Sequence, residues 1–118
     1  MNQQRVEEMF GRIDAMDTDG YLRFLTEDVK FRFGSMPEAV GQAAVRDGTA
    51  TFFSAIKGIR HTLTGYWSSG DTVMVRLEVE YTRHDGRQVT LPCANIFEVR
   101  GGLIADYRIY MDVTPVFA

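Results

Sequence analysis

At 118 residues, 45% hydrophobic and 25% charged, the chain can bury one core but not two, so residues 1–118 are expected to form a single domain. A formal net charge of -3, with 13 lysines and arginines scattered along the chain, excludes the basic footprint that binding to a phosphate backbone requires. No apolar run reaches the roughly 20 residues of a membrane span.

The first elements are helical. Val6, Met9, Phe10, Ile13 and Met16 recur at spacings of three and four, while Arg5, Glu8, Arg12 and Asp14 occupy the polar side; this pattern predicts an amphipathic helix with Asn2 as its cap. Charged Arg5, Glu7 and Glu8 stand where a signal peptide would be apolar. Asp17-Thr18-Asp19-Gly20 ends that helix and caps a second one running through Leu25. Val29 to Phe33 alternates as a short strand, stopped by Gly34, Ser35 and Pro37. A third helix opens near Gly41, turns Val45, Thr49, Phe52, Phe53 and Ile56 to one side, and closes at Gly58.

Strands follow. Ile59, His61, Leu63, Gly65 and Trp67 share one parity, so a histidine is delivered to an apolar face. Val73, Val75, Leu77, Val79 and Tyr81 alternate with Met74, Arg76, Glu78, Glu80 and Thr82, which is the pattern of a half-buried strand. Asp85-Gly86 supplies a hairpin turn, with His84 exposed in it, and Gly101-Gly102 supplies the next. Between them Val89, Leu91, Cys93, Asn95 and Phe97 point one way, and Pro92 argues for an edge or a bulge. Leu103, Ala105, Tyr107, Ile109 and Met111 form the inward parity of the last strand; Arg108 and Asp112 face outward. The expected class is α+β: a strongly curved, mostly antiparallel sheet packed on three N-terminal helices, forming a cone too wide at its open end to be filled by side chains.

Asp17-x-Asp19, Gly41, the hairpin Glu80 to Gly86, Leu91-Pro92, Phe97-Glu98-Val99, Gly102-x-Ile104 and Tyr110-x-Asp112 together resemble SnoaL-like proteins of the nuclear transport factor two superfamily. The resemblance covers nearly the whole chain. It implies the cone fold, while the activity stays open, because such folds serve cyclases, isomerases, dehydratases, epoxide hydrolases and non-catalytic binding or assembly domains. By the same resemblance, the polar groups of limonene epoxide hydrolases fall at Phe31, Phe33, Leu77, Val79 and Ile109, and those of ketosteroid isomerases at about Phe33 and Cys93. None of these side chains can activate water on an epoxide or abstract a proton as a carboxylate does, so neither activity is expected.

The remaining chemistry centres on His61 and Asn95. His61 on an apolar face acts either as a structural histidine with one hydrogen-bond partner or as a general acid or base whose charged form burial disfavours. A carboxylate contact would reverse that sign, with Asp17 and Asp19 the acidic residues nearest the expected mouth. Asn95 either satisfies a bulge near Pro92 or donates to a developing enolate. Phe31, Phe33, Trp67, Leu77, Val79, Cys93, Tyr107 and Ile109 are expected to line the ligand pocket. Trp67 and Cys93 have core or interface packing as their alternative, and a single cysteine closes no internal disulfide.

The expected function is binding of a small, mainly apolar molecule, with cofactor-independent lyase, cyclase or isomerase chemistry in its catalytic form; the alternative is a non-catalytic carrier or assembly domain. Two remote histidines and one cysteine form no metal-ligand pattern, so no metal or cofactor is expected. Tyr66, Met74, Ala94, Ile96 and Tyr110 on the outer sheet face point to a homodimer. The expected location is cytoplasmic, without nucleic-acid or membrane partners.

Overall fold

Helix α1 (Gln3–Asp14) forms where its apolar stripe requires it. The Asn2 side chain accepts from the Arg5 N–H at 2.9 Å, and Val6, Met9, Phe10 and Ile13 are buried. Met16, at φ 54°, turns the chain out of the helix, and the Asp17 carboxylate then accepts from the Gly20 N–H at 3.0 Å to open α2 (Thr18–Leu22). The structure is a computed structural model and describes residues 1–118. No helix in it is long and apolar enough to cross a membrane.

The second helix stops three residues short of the expected Leu25. Strand β1 (Leu25–Phe33) begins there instead, because Leu25 enters a parallel ladder opposite Ile104 of β6 (Leu103–Tyr110) and the Phe24 carbonyl accepts from the Ile104 N–H at 2.8 Å. After β1 come the two-residue strand β2 (Ala39–Val40), α3 (Gln42–Ser54), and the long strands β3 (Gly58–Ser69), β4 (Thr72–Thr82) and β5 (Gln88–Arg100). A short helix α4 (Thr114–Phe117) follows β6 and buries Val116. The sheet order is β2-β1-β6-β5-β4-β3, with β1 and β6 parallel and every other pair antiparallel. This is the expected curved α+β cone. The β2 strand, the parallel pair and α4 add to the expected elements.

Strand β4 behaves as its alternation predicts. Val73, Val75, Leu77, Val79 and Tyr81 are all buried. The register shifts in three other places, one of them in the β1–β6 ladder between Leu25 and Lys30. The β3–β4 register shifts between Leu63 and Gly65, leaving Thr64 as the extra residue, so beyond it Tyr66 turns inward and Trp67 turns out opposite Met74. The β5–β6 register shifts between Glu98 and Val99, and Ala105 is the extra residue, which brings Ile104 to the same buried face as Tyr107. Pro92 sits opposite Glu78 without any shift, on the stretch of β5 that extends past the end of β6. Its missing N–H therefore costs no ladder bond.

Candidate functional site: the cone interior

Cross-strand neighbours build the wall. His61 lies opposite Val79, Val79 opposite Leu91, Leu77 opposite Cys93, and Asn95 between Val75 and Ile109. Phe31 and Phe33 of β1 stand beside Tyr107 and Ile109 of β6. Above them α3 crosses the open end, and the space between is a cavity of about 590 Å³ with 20 hydrophobic residues among the 27 that line it. Phe31, Phe33, Val79, Cys93, Tyr107 and Ile109 line it as expected, and so do His61 and Asn95.

Two expected lining residues are elsewhere. Trp67 is 49% exposed on the outer face, because the Thr64 bulge inverts the parity of the strand after it. Leu77 is buried but points at a second hollow beneath α1, because the curved sheet carries that part of β4 under the helix. Other lining groups had not been anticipated. Ala44, Gly48 and Thr51 set small residues along one flank of α3, Ala55 continues the line at its C-cap, and Met36, Pro37 and Phe117 complete the rim. The spacing of four, three and four along α3 is the signal that could have found its flank.

Polar groups in the cavity are few. Asn95 is 2% exposed; its Oδ1 accepts from the Cys93 thiol at 3.4 Å, while its NH2 group bonds to no protein atom and is not sealed away, so it is presented to the cavity. Burial pushes the Cys93 thiol up to about 12 and raises the hydroxyls of Tyr21, Tyr81 and Tyr107 above the ordinary tyrosine range. All four stay protonated at neutral pH. No lysine or arginine lines the cavity, and its one carboxylate, Asp47, is exposed at the rim.

His61 supplies the one imidazole in the cavity wall. Its ring stacks on Phe10, with centroids 4.7 Å apart and planes at 23°. Burial without a carboxylate neighbour is the expectation for His61, and the structure corrects it: a carboxylate reaches the ring, from Asp14 and not from Asp17 or Asp19. Asp14 Oδ1 lies 2.5 Å from His61 Nδ1, and both its oxygens accept from the His61 backbone N–H, at 3.1 and 3.0 Å. Asp17 instead caps α2 and lies near Arg12, and Asp19 pairs with Arg46. With Asp14 at Nδ1, Nε2 is the ring nitrogen that bonds to no protein atom. The α1 pattern had placed Asp14 on the polar side, and no local signal shows that its neighbour is a strand 47 residues away.

No three His, Cys, Asp or Glu side chains come together in a metal-holding group. The sequence model for the SnoaL-like domain matches residues 6–107. Solved structures of similar fold include TerC co-crystallised with polyporic acid, at 19% identity and TM-score 0.85, covering 97% of this chain and 93% of that one. A polyketide cyclase candidate from Xanthomonas campestris pv. campestris is 23% identical with TM-score 0.80, covering 98% and 96%. An LEH-like epoxide hydrolase of M. tuberculosis is 18% identical with TM-score 0.80, covering 97% and 84%. No functionally curated protein matches the chain.

Proposed function

This chain belongs to the SnoaL-like domain family, and from that premise we propose that its cone binds one small, uncharged, mainly apolar molecule on which His61 and Asn95 act as base and hydrogen-bond donor. The carrying observation is the cavity itself. Its volume of about 590 Å³ suits a ligand of two or three fused rings, within the roughly 300–1,000 Å³ typical of small-molecule sites. Walls without lysine or arginine would leave an anionic ligand desolvated and unpaired.

In the catalytic form, His61 Nε2 removes a proton from carbon beside a ligand carbonyl, and the Asn95 NH2 donates to the oxygen that becomes negative. The enolate then takes a proton back at another carbon, expels a hydroxyl as water, or closes a ring by attacking a second carbonyl. These are isomerase, dehydratase and cyclase outcomes of one first step. Two structural neighbours are named as candidate polyketide cyclases, and cyclisation joins the set on that ground. A carrier is the second reading, favoured by the way Asp14 and Phe10 satisfy His61 as a structural histidine would be satisfied.

Titration with 2-naphthol and with 2-naphthoate tests the proposal. Saturable 1:1 binding of 2-naphthol is expected, with 2-naphthoate at least ~10-fold weaker, a difference of about 1.4 kcal/mol. Ile109→Trp, which places an indole in the cavity, should abolish both. Equal or tighter binding of the carboxylate, or no binding of either, would overturn it. Limonene oxide and Δ5-3-ketosteroids should not turn over. On a ligand that does react, His61→Gln should keep the fold and remove turnover, by about 10²-fold to 10⁴-fold; unchanged turnover would leave the carrier reading.

A further inference from the structure

Helix α3 roofs the cone yet buries only Val45 among its 13 residues. Ala44, Gly48 and Thr51 stand exposed along the flank that borders the cavity, and Phe52, four residues after Gly48, is half-buried. A glycine inside a helix lowers its stability relative to alanine, and nothing in the packing requires one at position 48. A Cβ there meets nothing within 4 Å, and the residue is not among the glycines of positive φ. Gly20 and Gly65 differ, since a Cβ on either would stand 2.2 or 2.3 Å from a neighbouring side chain.

The sheet wall of the same cavity also lacks a partner. Asn95, 2% exposed, presents there an NH2 group that bonds to no protein atom, and a buried donor left unpaired is costly. We propose that Gly48 is a specificity-determining residue of the cone: a flat, fused-ring ligand holds an oxygen to the Asn95 NH2 and lays its outer ring across the α3 backbone at Gly48, where any longer side chain would stand in its way. Phe52 packs against Phe33 and Phe117, with ring centroids 5.6 and 6.2 Å apart, and these rings border the slot beside it.

This deepens the reading of the cone as a small-molecule site and rests on it, without depending on any reaction. Glycine is the residue that lets another group approach the backbone closely, and a ring face lying on a helix needs that approach. A two-ring ligand anchored at Asn95 leaves the Gly48 side of the mouth free, whereas a third ring extends to it. Bulk at position 48 therefore discriminates by ligand length. The helix gives up stability at that position to keep the sill low, which is the trade expected where a binding site overrides local propensity.

The test compares dissociation constants of 2-naphthol and 2-anthrol, with two and three fused rings and one hydroxyl each, for the wild type, Gly48→Ala, Gly48→Leu and Gly11→Ala. Gly11 is the matched control, an interior glycine of α1 whose Cβ would also meet nothing within 4 Å and which lies outside the cone lining. Both alanine variants should raise the urea midpoint of the ligand-free protein. Gly48→Leu should weaken 2-anthrol at least tenfold and 2-naphthol less than threefold, while Gly11→Ala should leave both within twofold. Gly48→Leu binding both compounds as the wild type does, or weakening both by the same factor, would overturn the proposal. A lowered midpoint in Gly48→Ala would do so too, because the glycine would then serve the fold. Failure of the wild type to bind either compound falls on the reading of the cone itself, whereas wild-type binding without these ratios falls on Gly48 alone.

Discussion

Burial holds the Cys93 thiol protonated well into the alkaline range, at about 12 against an ordinary 9.0, and this has a consequence for stability. A group whose folded value is raised contributes stability that is intact below its unfolded value and lost as pH rises toward the folded one. Tyr21, Tyr81 and Tyr107 are shifted in the same direction by burial. Urea midpoints should therefore hold steady to about pH 9 and fall steeply above it. Cys93 alone should account for about 2 kcal/mol by pH 10.5, a share that Cys93→Ala removes from the slope. A midpoint that does not change up to pH 11 would contradict the burial of these groups. A second residue-scale expectation concerns the Thr64 bulge. A Cβ on Gly65 would sit 2.3 Å from the Trp67 ring, so Gly65→Ala must push the indole off its contact with Arg76, whose guanidinium lies 5.5 Å from the ring centroid. The cost should be small, roughly 1 kcal/mol, because the ring swings into solvent. Emission from this single tryptophan should shift to the red.

At the scale of elements, one amide side chain fastens the start of the cavity roof. Helix α3 has no side-chain cap at Gly41, and Gln42 in its first turn donates from Nε2 to the Leu25 carbonyl at 3.0 Å, with the Leu22 and Thr26 carbonyls at 3.3 and 3.4 Å. That amide ties α3 to the junction of α2 and β1. Gln42→Glu keeps the shape but points a carboxylate at three carbonyls, so it should destabilise by about 1–3 kcal/mol and by more than Gln42→Ala, measured by urea melts at pH 7. Greater damage from the alanine variant would remove this amide as the anchor. Period-two reading worked best on β4, whose five inward residues are all buried between two full-length neighbours. It worked on β3 only as far as Leu63, and on β6 only after Ala105. A bulge inserts one residue to relieve the curvature imposed by the partner strand, so its position is not written in the strand's own alternation.

At the scale of the whole molecule, the outer sheet face carries the remaining expectation. Trp67, Met74 and Tyr110 are 49%, 45% and 54% exposed. They connect across the strands, Trp67 beside Met74, Met74 beside Ile96, and Ala94 beside Tyr110. Trp67 replaces Tyr66 in this patch, since Tyr66 turns inward and donates to the Met1 carbonyl at 2.5 Å. We propose that a second copy covers this face about a two-fold axis. Sedimentation at micromolar concentration should give twice the 13.4 kDa chain mass, and Met74→Glu should give the monomer with the cavity still able to bind 2-naphthol. A wild-type monomer under the same conditions would end the proposal.

Sequence alone determined the helix pattern of α1, the inward face of β4, the hairpins at Asp85-Gly86 and Gly101-Gly102, the curved α+β cone and six of its eight expected lining residues. These follow from local backbone geometry, in which apolar periods of 3.6 and 2 and the turn-forming glycines act within a few residues of themselves. Tertiary structure decided the parallel pairing of β1 with β6, the outward turn of Trp67, the small-residue flank of α3 over the cavity, and the Asp14 carboxylate on His61. Each depends on where the curvature of the sheet carries one element against another. No residue of α1 signals that its last turn will cross β3, and the pairing of Asp14 with His61 exists only once the sheet has closed beneath that helix.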